Sequence, residues 1–500
     1  MGTQGSSAAW RGRALAPVLI YLSSVVAVIS SLGAPLIPTI AAADHVSLSE
    51  AQWSLTITLL VGAVATPTMG RLGDGALRRS TILGALAIVL VGNTLAALPF
   101  GFGWLIAGRA LQGVGLSLIP LTVATARDSL PPERSRPAIA LLSVTVVSGI
   151  GVGYPLTGLI AEHFGFHASF WLGTAVSGTA LAAAMLVLPS TRHLTRRPLD
   201  ATGAVLFGAA LAGLVLVLCE GQSWRWTSPA LLGLGAVSLV CLAVWIVFEL
   251  KTGQPLVDLR LLRNRVVLTA AVVGLIAGMG TYLLLSLVTR LAQTPAGPSG
   301  GFGVSIVVSG LILIPFSVGT LAANKAVQLV AQRMPWRLTL PLACVVTLSS
   351  LVMFGLARTD LWELLVVMGL NGLGVGCVFA LLPNLVVTAV PAGDVGSAIG
   401  FNQVLRYVGF TTGSALSAVA LESHTTAGAA LPDPSGYGAA AVWGMVICAA
   451  AAVTAIVLPG RRPSAPNVRE DSGNPTVAEG AGPAAVLPAE GEQLRGCTRS

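Results

Sequence analysis

The sequence predicts an all-α polytopic membrane protein, because of its composition, its long apolar runs and the placement of its basic residues. Charged residues make up only 10% of the 500-residue chain, and apolar residues make up 54%. The mean hydropathy is +0.83. A soluble domain carries about 25% charged residues, which it needs to cover its surface. The composition therefore excludes a soluble enzyme, a disordered protein and a nucleic-acid-binding protein.

Fourteen apolar runs are long enough to cross a bilayer, which requires about 20 mostly apolar residues per helix. Most of these runs are bounded by charged residues, proline or glycine. The expected spans are 14–41, 53–69, 81–100, 104–125, 138–160, 169–189, 202–219, 230–249, 266–289, 302–324, 338–357, 361–387, 396–421 and 439–459.

The first run shares features with a secretory signal peptide. Arg11 and Arg13 precede it, and the small residues Ala41, Ala42 and Ala43 lie near its end. A signal peptide has an apolar core of only about 7–15 residues, whereas this run is much longer. We therefore expect an uncleaved first helix, and a cleaved leader is the alternative.

The basic residues lie mostly on one side of the expected spans. Cytoplasmic loops are enriched in Lys and Arg. With the N-terminus inside, 20 of the 28 basic residues fall on the cytoplasmic side and 3 on the opposite side. This pattern predicts a multi-pass protein of the cell membrane with both termini in the cytoplasm. It also explains the net charge of +8 without a nucleic-acid partner.

An internal repeat predicts the domain organisation. Gln112-Gly113-Val114-Gly115 and Leu373-Gly374-Val375-Gly376 open similar runs, eight spans apart. A duplication of this kind places a substrate route between two halves, and chance similarity of Gly/Ala-rich helices is the alternative. The expected segments are a cytoplasmic N-terminus (1–13), a six-helix bundle (14–190), two linker helices with a cytoplasmic loop (191–265), a second six-helix bundle (266–460) and a disordered cytoplasmic tail (461–500).

The hairpin between spans 2 and 3 reads Gly70-Arg71-Leu72-Gly73-Asp74-Gly75-Ala76-Leu77-Arg78-Arg79. Glycine allows the positive φ angles of a tight turn. An aspartate at the membrane edge can cap a helix or pair with arginine. The alternative is an ordinary basic loop on the cytoplasmic side.

Spans 4 and 5 each carry an unusual run. Span 4 contains Arg109-Ala110-Leu111-Gln112-Gly113. A charge inside an apolar run is costly and usually faces a cavity or a partner, unless the side chain extends to the interface. Span 5 reads Gly149-Ile150-Gly151-Val152-Gly153-Tyr154-Pro155-Leu156-Thr157-Gly158. Its glycines favour close helix contacts, and its proline favours a bend. We expect a gating role for this run, and helix packing alone is the alternative.

In this order and on these spans, the motifs resemble those of the major facilitator superfamily. The resemblance covers residues 14–460, and the fourteen spans are similar to the drug:proton antiporter branch with two central linker helices. The matching residues are Gly70, Asp74, Arg78 and Arg79 in motif A, Arg109, Gln112 and Gly113 in motif B, and Gly149, Gly153, Pro155 and Gly158 in motif C.

The resemblance implies two six-helix bundles that rock about a central cavity. It implies that motif A latches the cytoplasmic side, that Arg109 of motif B assists proton movement and that motif C favours export. It further implies a monomer that binds a small-molecule substrate and uses the proton motive force without a cofactor.

The chain departs from the family pattern in three places. Gly75 and Leu77 stand where motif A usually has a basic residue and glycine, and Tyr154 and Thr157 interrupt motif C. First helices of this branch usually contain an aspartate, and the stretch 27–35 contains none. The third departure leaves the proton carrier unassigned.

No acidic residue lies at the middle of an expected span. A proton-coupled carrier normally uses a buried carboxylate. The candidates are Glu220, after span 7, and Glu363, in the first turn of span 12. The alternative for each is an interfacial charge. The chain also lacks a buried His or carboxylate pair within its spans, so we expect neither an enzyme nor a metal site.

A second polar site is expected in span 13, where Asn402, Gln403, Arg406 and Tyr407 lie close together. Asn402 and Arg406 share a helix face, and Asn371 of span 12 is expected to join them. These residues are the candidate substrate cavity, with interhelical hydrogen bonding as the alternative. The sequence favours a proton-coupled exporter of amphipathic drugs or antibiotics. A carrier of one native metabolite, lipid or siderophore is the alternative, and an intramembrane enzyme is least supported.

Overall fold

A computed structural model describes residues 2–73, 77–189, 200–221, 224–253, 255–297, 300–331, 333–390, 395–425 and 432–457. All regular secondary structure in these ranges is helical, as expected from the apolar runs. The expected tail at 461–500 lies outside the described residues.

The fourteen expected spans correspond to fourteen helical segments, here numbered α1 to α14. Eleven of them are single helices: α2 (Leu48–Gly73), α3 (Arg78–Ala97), α5 (Pro132–Phe164), α6 (Phe166–Val187), α7 (Ala201–Glu220), α8 (Pro229–Lys251), α9 (Arg265–Gln293), α11 (Trp336–Leu356), α12 (Leu361–Ala389), α13 (Val395–Glu422) and α14 (Pro434–Val457). Thirteen segments are long and apolar enough, over the described residues, to cross a membrane. The remaining one is α5.

Three segments are interrupted. Helix α1 covers Gly2–Ser31 and resumes at Ile37–Ala43 after a short 3-10 turn. Helix α4 covers Phe102–Gly113 and Leu118–Ser129, and α10 covers Ile306–Ile312 and Ile314–Ala331. In α1 the break falls at Pro35 and Pro38, whose ring nitrogens cannot donate the helical hydrogen bond.

The helix ends correct several expected bounds. Helix α1 begins at Gly2, so the expected N-terminal segment 1–13 is largely helical. Helix α9 extends to Gln293 rather than ending at 289, which brings Arg290 into the helix. Gly70 lies within α2, three residues before the helix ends at Gly73, and therefore does not form the tight turn expected of it.

The packing of the helices follows the internal repeat. Helix α4 packs against α2 and α3, while α12 packs against α10 and α11. Glycines make both sets of contacts close: a Cβ on Gly113 would lie 2.5 Å from the Thr58 carbonyl oxygen of α2, and one on Gly376 would lie 2.9 Å from the Thr320 Cα of α10. The two matched helices therefore pack against equivalent neighbours. The exact boundaries of the two bundles stay a prediction.

Helices α7 and α8 pack against each other, and α7 also contacts α2 and α13. Only 17% of the most apolar window of α8 is buried, although its hydropathy is the highest of the spans. An apolar helix with so much exposed surface is stable where lipid is the solvent. This observation supports the membrane class independently of helix length.

Candidate functional site

Arg109 is fully buried, two turns inside the start of α4. Its Nε donates to the Ser54 carbonyl at 2.8 Å, and its Nη1 donates to the Ile29 carbonyl at 3.4 Å and to Gln112 Oε1 at 2.5 Å. Its Nη2 and the Gln112 Nε2 have no hydrogen-bond partner. The guanidinium therefore links α4 to α1 and α2 through neutral acceptors and keeps a free donor.

Arg406 lies near the middle of α13 against aromatic rings. Its guanidinium carbon is 4.4 Å from the ring centre of Phe379 on α12 and 5.9 Å from that of Phe410. Its Nε is buried and has no hydrogen-bond partner. Such contacts with aromatic faces stabilise a guanidinium while leaving its N–H groups available.

Tyr282 of α9 packs against the aromatic side chains beside Arg406, which is itself half-buried. Its ring stacks on Phe410 with ring centres 4.4 Å apart. Its hydroxyl is within electrostatic range of both Arg109 and Arg406. Tyr282 is also within electrostatic range of the buried Tyr154 of α5. Tyr282 therefore lies near both Arg109 of motif B and Arg406 of the candidate substrate cavity. We call Arg109, Arg406 and the rings of Tyr282, Phe379 and Phe410 the central site.

The other candidate cavity residues have different surroundings. Asn402 donates to the Ala270 carbonyl at 2.8 Å and so joins α13 to α9, as the alternative of interhelical hydrogen bonding predicted. Gln403 lies one turn before Tyr407 on α13. Asn371 is completely buried, and both polar atoms of its amide lack a partner.

The glycine-rich face of α5 packs closely against α10 and α1. A Cβ on Gly158 would lie 2.9 Å from the Ile306 carbonyl oxygen, and one on Gly310 would lie 2.8 Å from the Tyr154 carbonyl. A Cβ on Gly153 would lie 2.7 Å from Ser31 Cβ. Pro155 lies in this contact, and Gly149 belongs to the same helix. The motif C glycines therefore allow backbones from both halves to approach.

Thr157, which departs from motif C, is buried at the same contact. Its hydroxyl donates to Ser31 Oγ on α1 at 3.1 Å and to the Gly153 carbonyl. The interruption of the motif thus adds a hydrogen bond between α5 and α1.

A buried polar group that sequence reasoning missed joins the two halves at one end of the molecule. We call Gln52, Ser286, Arg290 and Ser414 the closure cluster. Gln52 Nε2 donates to Ser414 Oγ at 2.6 Å, and Arg290 Nη2 donates to Gln52 Oε1 and to the Leu48 carbonyl, both at 2.8 Å. Nearby, Ser49 donates to Glu422 at 2.8 Å. This end is the one where α1 ends and α2 begins.

At the opposite end, motif A joins the start of α3 to the ends of three other helices. Arg78 Nη1 forms an ion pair of 2.7 Å with Asp128 at the end of α4, and its Nε donates to the Gly73 carbonyl at the end of α2. Arg79 donates to the Met185 carbonyl of α6 at 2.7 Å. Asp74 lies outside the described residues.

The two candidate proton carriers lie at helix ends. Glu363 forms a capping box at the start of α12, where its carboxylate accepts from the backbone nitrogens of Thr359 and Asp360 at 2.6 and 3.0 Å. Glu220 is the last residue of α7. These contacts are those of a charge that caps a helix at the membrane interface, which is the alternative stated above for Glu363.

The residues missed by the sequence argument are aromatic or lie beside the expected span ends. Phe379, Phe410 and Tyr282 carried no motif and looked like ordinary apolar residues. Gln52 and Arg290 fell one residue outside the expected spans 53–69 and 266–289. If the 3.6-residue helical pattern of each span had been extended beyond its terminal apolar residue, Gln52 and Arg290 could have been included in their helices.

Comparison with known proteins agrees with this geometry. The model of the Major Facilitator Superfamily matches residues 19–414. The tetracenomycin C resistance and export protein of Streptomyces glaucescens is 27% identical over 84% of this chain and 76% of its own. The multidrug resistance protein Stp of Mycobacterium tuberculosis is 26% identical over 77% of this chain and 72% of its own.

The solved structures support the fold. A POT family transporter in complex with 5-aminolevulinic acid superposes with a TM-score of 0.64, at 14% identity, over 90% of this chain and 97% of its own. The family match spans most of the chain, and the helical fold agrees with it. The chain therefore belongs to the Major Facilitator Superfamily.

Proposed function

We propose that this protein is a secondary exporter of small amphipathic drugs or antibiotics. The observation that carries the proposal is the central site, where Tyr282 lies near Arg109 of the first half and Arg406 of the second, and aromatic rings of the second half pack against Arg406. A site between two halves that are joined at one end suits a carrier that opens alternately to each side. Relatives named as resistance and export proteins support export of this class of compound.

The proposal includes location and energy source. The protein lies in the cell membrane with both termini in the cytoplasm, acts as a monomer and uses the proton motive force without a cofactor. The asymmetry of basic residues supports this orientation. The closure cluster then lies at the external end.

A growth assay in a pump-deficient bacterial host tests export. Expression of the protein is expected to raise tolerance to part of a panel of aromatic antibiotics and dyes, and a protonophore is expected to abolish the intracellular depletion of the same compounds. Arg109→Leu, made at equal protein level, is the transport-deficient control. Unchanged or lowered tolerance to every compound would overturn the proposal, because an importer sensitises its host.

A further inference from the structure

The membrane interior of this protein contains positive charges without matching negative ones. Arg109 lies two turns inside the start of α4, and Arg406 lies near the middle of α13. Among the described residues, neither has a carboxylate within the 4 Å of an ion pair, and the acidic residues of the membrane helices lie within three residues of a helix end. Arg290, which is buried near the end of α9, is engaged in the closure cluster, and Arg78, buried at the start of α3, is paired with Asp128.

A buried guanidinium is stable only where its N–H groups and its charge are compensated. Arg109 has three neutral acceptors and one free Nη2, and Arg406 has aromatic faces and one free Nε. Both arginines therefore have unused donors and no countercharge. A negatively charged ligand supplies what is missing at both positions, whereas a cation would add a like charge to the same site.

Aromatic rings determine the shape of the complementary ligand. Phe379 and Phe410 lie against the Arg406 guanidinium, and the ring centre of Phe410 is 6.0 Å from that of Phe379 and 5.7 Å from that of Tyr407. Tyr282 stacks on Phe410 and lies near Arg109 as well. Flat aromatic ligands stack on such faces, and their negatively charged groups can reach a guanidinium at either end.

We propose that the cargo is a planar aromatic anion, and that the electrical component of the proton motive force drives its export. The proposal rests on the proposed function and specifies its substrate class and energy source. Because the electrical potential inside a cell is negative relative to the outside, it favours movement of an anion out of the cell. A potential of about 100 mV favours export of one negative charge about 50-fold at equilibrium. Such a carrier needs no buried carboxylate, which agrees with the acid-free helix centres.

The test uses the purified full chain in liposomes with equal pH on both sides and a potassium diffusion potential set by valinomycin. The probes are pyrenesulfonate, an aromatic anion, and a pyrenyl-trimethylammonium cation with the same ring system. We expect pyrenesulfonate to move toward the positive side faster than in protein-free liposomes, and the cation to move at the protein-free rate. Movement of the cation alone, of neither probe, or of the anion only under a pH gradient would overturn the inference.

Variants of Arg406 distinguish charge recognition from a structural effect. Arg406→Gln is expected to slow pyrenesulfonate about ten-fold, the worth of one charged hydrogen bond. Arg406→Glu is expected to reverse the preference, so that the cation moves and the anion does not. Arg134→Gln removes an exposed arginine and is expected to leave both rates unchanged. If the ratio of the anion transport rate to the cation transport rate is unchanged in the folded Arg406 variants, the inference is overturned.

The growth assay separates failure of this inference from failure of the proposed function. When the panel is sorted by charge at neutral pH, we expect protection against anionic aromatic compounds. Protection confined to cationic or neutral compounds would overturn the inference and leave drug export standing. Protection against no compound would overturn both.

Discussion

At the scale of single residues, the most informative side chain is Arg109. Its guanidinium donates to carbonyls on two neighbouring helices and to Gln112 within its own helix. Three acceptors in different directions suit the planar fork of arginine, whereas a lysine ammonium is a single point charge on a flexible stem. The shape of the group therefore matters at this position in addition to its charge.

Replacement of Arg109 by lysine tests this geometry. Arg109→Lys keeps the charge but cannot reach the Ser54 and Ile29 carbonyls together, so we expect export to fall about ten-fold or more, the cost of an unsatisfied buried polar group. The measurement is the initial rate of efflux from preloaded cells, corrected for the amount of protein in the membrane. Arg134→Gln is the exposed control. An efflux rate equal to that of the unaltered protein would show that charge alone suffices.

At the scale of helices, glycine determines how closely α5 and α10 approach. The backbone of Gly310 contacts that of Tyr154 and Pro155, and Gly158 faces Ile306. Neither contact leaves room for a methyl group, since each Cβ would lie under 3.0 Å from a backbone carbonyl oxygen. In a membrane, where lipid is as apolar as the side chains, such close packing is a main source of helix association.

The substitution Gly310→Ala is expected to separate these helices and to lower the free energy of unfolding by about 1–3 kcal/mol. The matched control is Gly84→Ala in α3, where the added Cβ would meet nothing within 4 Å. The control is expected to leave stability unchanged or raise it slightly, because alanine favours helix. Thermal unfolding of both detergent-purified variants gives the comparison. Equal melting temperatures would contradict the packing argument.

At the scale of the whole molecule, the closure cluster determines which end is closed. Hydrogen bonds from Gln52 and Arg290 join α2 to α9 and α13. The close contact of α5 with α10 also joins the two halves. Breaking the hydrogen bonds removes stabilisation from this conformation alone, so the population shifts toward conformations open at that end.

The substitution Gln52→Leu is expected to open this end. Spin labels at the exposed positions Glu50 and Ser435, on α2 and α14, report the separation. In lipid nanodiscs we expect the distance distribution to shift to longer values. Thr454→Val removes an exposed hydroxyl that bonds only within α14 and serves as control. A distribution identical to that of the control would show that the closure cluster does not hold this end closed.

Much of the fold could be predicted from the sequence. The apolar runs predicted the fourteen helices because a bilayer requires each spanning segment to satisfy its own backbone hydrogen bonds. The rarity of charge singled out Arg109 and Arg406, which the structure places at the central site. The motif C glycines were recognisable because few other residues permit such close helix contacts.

The tertiary structure alone decided which side chains meet. Phe379 and Tyr282 come from helices far apart in sequence from Arg109, and no local pattern distinguishes an aromatic ring beside an arginine from one that faces lipid. Arg290 looked like a loop residue until packing with Gln52 extended its helix. The sequence alone thus determined the membrane class, the spans and the rarity of internal charge, because these follow from local solvation. The partners of those charges depend on contacts between distant helices, and only the folded chain specifies them.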